Sequence, residues 1–369
     1  MIQLRKIQPL LFGVLSLTSY GQAKINANTD EVMVDLSSYS VSLSDDGTTL
    51  AIGTYNVRDN GSKSGHVCVY KNNSGVWSQI GADINGEAEG DWSGYSVSLS
   101  NDGAIVAIGA KYNHGSNGSD SGHVRIYKNN SGIWKQVGAD IDGEAAGDWS
   151  GYSVSLSDDG TTVAIGAILN SGNGKNSGHV RVYKNISGAW TQIGENIKGK
   201  AVKDYFGTSV SLSNDGTTVA IGAHQGGSTL GYASVYKNVL GDWVQIGDDI
   251  VGESKGNFLG WNISLSNDGS TVAIGGYMNN DKGVRYAYVR AYKNKTNTWI
   301  QKGTDIGGKT MGYDLSRFNN ISFSGNDTIT LIGAYEKNND NNSQKTPAIN
   351  YVRVYKYKDS PSIWISPHI

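Results

Sequence analysis

Cysteine is almost absent. Cys68 is the only one in 369 residues, so no disulfide within the chain can support the fold, and packing has to suffice. Proline is scarce at 4 residues, and charged residues make up 17% of the chain against a usual share of about 25%. The formal charge is only -2. With no basic stripe, that balance argues against a nucleic-acid partner and against binding to anionic membrane surfaces. Beyond the N-terminus no apolar run approaches the roughly twenty residues that cross a bilayer, so membrane insertion is not expected. What the chain does have is glycine, 50 residues of it, with much Ser, Thr, Asn, Val and Tyr. Strands joined by many tight turns use these residues, and the composition is all-β.

Residues 1–23 read differently. Arg5 and Lys6 precede an apolar run from Ile7 to Leu17, followed by small residues at Ser19, Gly21 and Ala23. This is the pattern of a secretory signal peptide, with cleavage after Gly21 or Ala23, and it implies a secreted or cell-surface protein. No cysteine ends the segment to carry a lipid. Loss of Arg5 and Lys6 leaves 29 basic residues against 33 acidic ones. Residues 24–369 are expected to form a single domain.

That domain is repetitive. Ser-Val-Ser-Leu-Ser recurs from Ser40, Ser96, Ser153 and Ser209, then in altered form from Asn262 and Asn320, at spacings of 56, 57, 56, 53 and 58. Each copy continues with a phrase like Thr-Val-Ala-Ile-Gly-Ala, a third like His-Val-Arg-Val-Tyr-Lys-Asn, and a fourth opened by a tryptophan: Trp77, Trp134, Trp190, Trp243, Trp299 and Trp364. Four alternating segments per copy make one four-stranded sheet. Alternation places Val154 and Leu156 on one face and Ser153, Ser155 and Ser157 on the other. One face of each sheet is then large and apolar, the other small. Radial stacking about an axis fits large face to small face and leaves only short edges. The expectation is an all-β β-propeller of six four-stranded blades, with seven blades as the alternative.

Asp-Gly turns at Asp46-Gly47, Asp102-Gly103, Asp159-Gly160, Asp215-Gly216 and Asp268-Gly269 join the first two strands of a copy, and Asn326-Asp327 replaces them in the sixth. Ser-Gly turns ending at Gly75, Gly132 and Gly188 join the third and fourth strands. Both sets fall on one face of the ring. The other face collects the irregular loops, at 224–230, 277–285 and 335–350, and the lead-in Gly-Glu-Ala-x-Gly-Asp-Trp-Ser-Gly-Tyr at 86–95 and 143–152. Variable loops on a rigid scaffold are the usual seat of function.

At these residues the chain resembles the FG-GAP repeat proteins, a class that includes the integrin α-subunit propeller and bacterial surface proteins. Phe206-Gly207 and Gly222-Ala223 carry the resemblance, with His224 in place of the motif's proline. Gly109-Ala110 and Gly166-Ala167 repeat it, with Trp92 and Gly94, or Trp149 and Gly151, for the Phe-Gly pair. The resemblance implies a propeller of bacterial surface type. The family's calcium loop is replaced here by the bare Asp-Gly turn, too short to offer the six to eight oxygens that calcium takes.

His66, His123 and His179 are equivalent across copies and cannot meet on one metal ion, so they read as packed aromatics with a polar tip. The pairs Asp91-Trp92, Asp148-Trp149 and Asp204-Tyr205 read either as architecture, with Asp accepting backbone N–H bonds, or as aromatic platforms for a ligand. Burial of Trp92 and Trp149 would exclude the platforms. No copy breaks the pattern with a base, a nucleophile or a metal set. The function expected is non-catalytic recognition of an extracellular glycan or protein through the irregular loop face, by a monomer. The candidate contact residues are Trp92, Tyr95, Trp149, Tyr152, Tyr205, Phe206, Phe258 and Trp261. No cofactor is expected; a weak calcium site among Asp59, Asp120, Asp281 and Asp340 is the exception considered. The alternative function is a polysaccharide hydrolase or lyase with its site at the axis.

Overall fold

A computed structural model describes residues 14–18, 22–27, 30–35, 39–55, 63–225, 230–279, 285–307, 315–323, 329–336, 349–359 and 362–365. The described residues are strands, turns and bends, with no helix. Six consecutive sheets share one antiparallel meander. Blade one comprises Tyr39–Leu43, Thr49–Thr54, His66–Asn73 and Val76–Gln79. Blade two comprises Ser96–Leu99, Ile105–Ala110, His123–Asn130 and Ile133–Gln136. Blade three comprises Ser150–Leu156, Thr162–Ala167, His179–Ile186 and Ala189–Gln192. Blades four and five start at Ser209–Leu212 and Asn262–Leu265, and the last sheet at Leu315–Phe323.

Two features add to the sequence reading. In blades one to five a two-residue strand, such as Ile84–Asn85, pairs with the start of the third strand, so the outer edge is built of two short pieces. A three-stranded sheet of Val14–Thr18, Gln22–Ala27 and Asp30–Asp35 precedes the blades, and its first strand lies against Ile349–Asp359. The expected signal segment otherwise lies outside the described residues, as do the sixth-copy turn at Asn326-Asp327 and most of the three longest loops.

Large face meets small face between blades, as the alternation requires. Ala107, Val124 and Ile126 of blade two pack against Leu156, Val163 and Ile165 of blade three. The same arrangement joins Ala164, Val180 and Val182 to Val210, Leu212, Val219 and Ile221. Burial of this apolar area, at about 25 cal/mol per Å², is the main force holding neighbouring blades together.

The recurring Ser-Val-Ser-Leu-Ser phrase gives each serine its own bond. The first donates to the lead-in glycine of the next blade: Ser40 to Gly94 O at 2.9 Å, Ser96 to Gly151 O at 2.8 Å and Ser153 to Gly207 O at 2.7 Å. The second accepts the next blade's leucine N–H, as Ser98 does from Leu156 at 3.0 Å. The third closes its own hairpin, Ser157 donating to Asp159 at 2.7 Å and accepting from Thr162 N–H at 2.9 Å. At the hairpin tips a backbone chain runs round the axis, in which Asp45, Asn101, Asp158 and Asn214 N–H donate in turn to the carbonyls of Asn101, Asp158, Asn214 and Asn267. At the outer edge Trp134, Trp190, Trp243 and Trp299 donate their indole N–H to the preceding blade, at Ile80, Val137, Ile193 and Ile246.

Candidate binding site on the loop face

The lead-in to each blade is folded around its aspartate. Asp91 accepts Ala88 N–H at 2.9 Å and Asn113 Nδ2 at 3.0 Å; Asp148 accepts Ala145 N–H at 3.1 Å and Asn170 Nδ2 at 2.9 Å. Asp204 accepts Lys200 and Ala201 N–H and the Tyr232 hydroxyl. The architectural reading of these aspartates therefore holds. Burial pushes the Asp148 carboxyl upward, against the pull of its hydrogen bonds.

The aromatic that follows each aspartate has left-handed backbone: φ is 56° at Trp92, 57° at Trp149, 52° at Tyr205, and 43° at Phe258, which follows Asn257. Bulky residues rarely adopt this conformation, which costs on the order of 1–3 kcal/mol each. It turns the ring out of its own strand and onto the loop face.

There the rings of blades two and three gather round one lysine. Lys111, at the end of the second strand of blade two, is 5% exposed. Its Nζ lies 3.7 Å from the ring centre of Tyr95, 4.7 Å from Trp149, 4.8 Å from Tyr112, 5.1 Å from Tyr152 and 5.3 Å from Trp92. Tyr55 stacks on Trp92 at 4.8 Å, and Tyr112 meets Trp149 edge-on at 5.0 Å. Among the described residues the ammonium has these rings for partners and no ion pair. Ring faces attract cations, but burial dominates and lowers the Lys111 pKa to about 8.

A second cluster occupies blades four and five. His224 stacks on Tyr205 at 5.5 Å and meets Trp261 edge-on at 4.6 Å, and Trp261 meets Tyr277 at 6.1 Å. The Thr208 hydroxyl donates to Tyr205 O at 2.6 Å, so at 2.7 Å from His224 Nδ1 it accepts, which places the ring proton on Nδ1. Burial lowers the His224 pKa to about 4. Buried Ile168 of blade three stands at the equivalent position between the two clusters.

Of the eight residues expected to contact a ligand, Trp92, Tyr95, Trp149 and Tyr152 meet around Lys111, and Tyr205, Phe258 and Trp261 around His224. Neither Trp92 nor Trp149 is fully buried, so the platform reading stands beside the architectural one. Phe206 requires correction: it is 0% exposed and packs with Tyr232 and Tyr236 between blades, because the left-handed backbone of Tyr205 turns the two neighbouring rings to opposite sides. The residues missed were Tyr112 and, at the position following the second strand's Gly-x pair, Tyr55, Lys111, His224 as a ring, and Tyr277. Comparing that one position down the repeats would have found them.

The histidines His66, His123 and His179 stay apart, each at the outer part of its own blade. His123 Nδ1 is 3.6 Å from Asp140 and 3.9 Å from Glu87, and His179 Nδ1 is 3.6 Å from Glu144. Of the loop acids considered for calcium, Asp59, Asp281 and Asp340 lie outside the described residues. Asp120 approaches His114 at 3.7 Å.

The FG-GAP repeat family matches residues 85–127 and 140–183. Each stretch runs from the outer edge of one blade through the lead-in to the third strand of the next. No curated protein matches the chain. Among solved structures, a Bacteroides uniformis protein described as a 6-phosphogluconolactonase is similar at 11% identity and a TM-score of 0.58, with 96% of each chain covered. The periplasmic gluconolactonase of Pseudomonas aeruginosa is similar at 15% identity and a TM-score of 0.54, over 96% of this chain and 94% of the other. Hydrazine synthase of Kuenenia stuttgartiensis is similar at 14% identity and a TM-score of 0.55, over 90% and 80%. At such identities it is the fold that is shared. The motif glycines, the meander sheets and these likenesses agree that the chain is a β-propeller, with FG-GAP repeats in two places, at 85–127 and 140–183.

Proposed function

We propose that this propeller is a secreted or cell-surface recognition module, without catalysis, that binds an acidic extracellular glycan at the aromatic basin around Lys111. The observation that carries the reading is a buried ammonium ringed by partly open Trp and Tyr faces, with no carboxylate among the described residues paired to it. Aromatic faces suit the C–H faces of sugar rings, and a few placed polar groups in an apolar basin fix orientation. A uronate or sulfate would give Lys111 the anion that the described residues do not. Asp91 and Asp148, which precede Trp92 and Trp149, are engaged by loop N–H and amide groups, which favours recognition over acid–base chemistry. Binding by a monomer, without a metal in the basin, completes the reading.

A glycan array of neutral, uronic-acid and sulfated chains, read with and without calcium, tests it. The wild-type protein is expected to retain acidic glycans in both conditions, and Lys111→Met and Trp149→Ala to lose them. Equal retention of neutral chains, or binding unchanged in both variants, would remove the basin as the site.

A further inference from the structure

The outer part of blade one differs from its neighbours at one position, two residues after the equivalent histidine or tyrosine. Blades two, three and five place arginine there: Arg125, Arg181 and Arg290. These guanidiniums neutralise nearby acids or bond nearby carbonyls. Arg125 Nη1 is 3.3 Å from Glu87, and Arg290 bonds Asp305 at 2.7 and 2.9 Å and Glu253 at 2.8 Å. Blade four has Ser234, and the amine of Lys200 reaches the acid instead, 2.6 Å from Asp249. In blade one the position holds Cys68, the chain's only cysteine.

The fold brings two further ligand types to that thiol. His66 and Cys68 are two apart on one strand and share a face. The short strand Ile84–Asn85 pairs with His66 and Val67, which delivers Asp83 beside them. A nitrogen of His66, the sulfur of Cys68 and a carboxylate oxygen of Asp83 all lie within 4.8 Å of one another. The Cys68 thiol donates to Asp83 Oδ1 at 3.2 Å, and Gln79 Nε2 donates to the same oxygen at 2.6 Å, orienting the carboxylate. Cys68 is buried, His66 partly so, and Asp83 exposed, so the cluster has a dry sulfur and an open side.

We propose that His66, Cys68 and Asp83 form a site for a borderline divalent cation of the zinc type, in which the metal takes the place that arginine fills in the neighbouring blades. One imidazole, one thiolate and one carboxylate make a three-ligand set that leaves a fourth position to water. Binding breaks the S–H bond, forms a metal–sulfur bond and releases the thiol proton to solvent. The two negative charges of thiolate and carboxylate balance the dication. The comparable trio in blade two, Glu87, His123 and Asp140, has Arg125 against it and is not a cation site.

Zinc titration by calorimetry in two buffers of different ionisation enthalpy, together with cobalt(II) as spectroscopic probe, tests the proposal on the full chain. The expected result is one zinc per chain, proton release on binding, and a near-ultraviolet thiolate-to-cobalt band. His66→Asn and Asp83→Asn should abolish the band, and Gln79→Ala should weaken binding roughly ten- to a hundred-fold as a lost orienting partner does. Cys68→Arg, which installs the residue of the neighbouring blades, should fold, as circular dichroism would show, and bind no cobalt. Glu87→Gln should leave binding unchanged. Absence of the band in the wild-type chain, or one-to-one zinc binding that survives Cys68→Arg, would overturn the proposal.

Discussion

A methyl group placed on Gly166 of blade three would lie 2.2 Å from the carbonyl oxygen of Gly207 in the lead-in to blade four. The two glycines are the Gly-Ala and Phe-Gly glycines of the repeat motif, and the motif is therefore a contact between blades. The same pairing joins Gly53 to Gly94, Gly109 to Gly151 and Gly222 to Gly260. Gly166→Ala meets Ser153 Oγ at 2.4 Å as well as backbone that cannot move aside, so it should cost about 3 kcal/mol, near the top of the range for overpacking. Gly188→Ala, in open space at φ +91°, should cost only about 1 kcal/mol of backbone strain. Urea unfolding of the two variants measures the difference; equal losses would show that the motif glycines serve only their own turns.

Trp190→Phe should weaken the seam between blades two and three. The ring volume is largely kept, but the 2.8 Å bond to Val137 O is lost, at about 1 kcal/mol. A drop in the urea midpoint with an unchanged slope is the expected reading. A Trp77→Phe variant is the companion, since among the described residues the Trp77 indole makes no such bond.

Acid should destabilise the fold through His224. Its folded pKa of about 4 lies below the unfolded value of about 6.5, so between these limits the unfolded chain takes up a proton that the folded chain refuses. Stability present above pH 6.5 is lost as the pH falls toward 4, by on the order of 3 kcal/mol for this one group, and changes no further below it. Denaturant curves from pH 7 to 4 on wild type and His224→Gln check the slope; the variant's should be shallower.

Lys111 should stand out chemically. With a pKa of about 8, about half of it is the free amine at pH 8, where an ordinary lysine is almost wholly protonated. Acetylation mapped by mass spectrometry across pH 6–11 should give an inflection near pH 8 for Lys111. An inflection above pH 10 would mean that the rings hold the charged form better than burial opposes it.

Much of this was legible in the repeat. The four strands of a blade, the Asp-Gly hairpins and the large-to-small packing all follow from alternation, because side-chain direction is a local property of a strand. The bonds of Ser40, Ser42 and Ser44 were not, since a small face says only that the next blade comes close and not which atoms it brings. Phe206 was misjudged for a similar reason: adjacent aromatics look equivalent in sequence, and only the left-handed backbone of Tyr205 decides which one turns outward. Lys111 was hidden because its partners come from two blades. The trio of His66, Cys68 and Asp83 needed the register of a two-residue strand that no local pattern announces.

The outer rim of blades one to five has a further meaning. Each rim is a four-residue strand, a corner, and then a two-residue strand, as in Val76–Gln79 followed by Ile84–Asn85. Another sheet arriving edge-on finds two stubs and no continuous row of unpaired amides to extend. Without a disulfide to hold it, the chain has in the shape of this perimeter a barrier to edge-to-edge stacking into fibres.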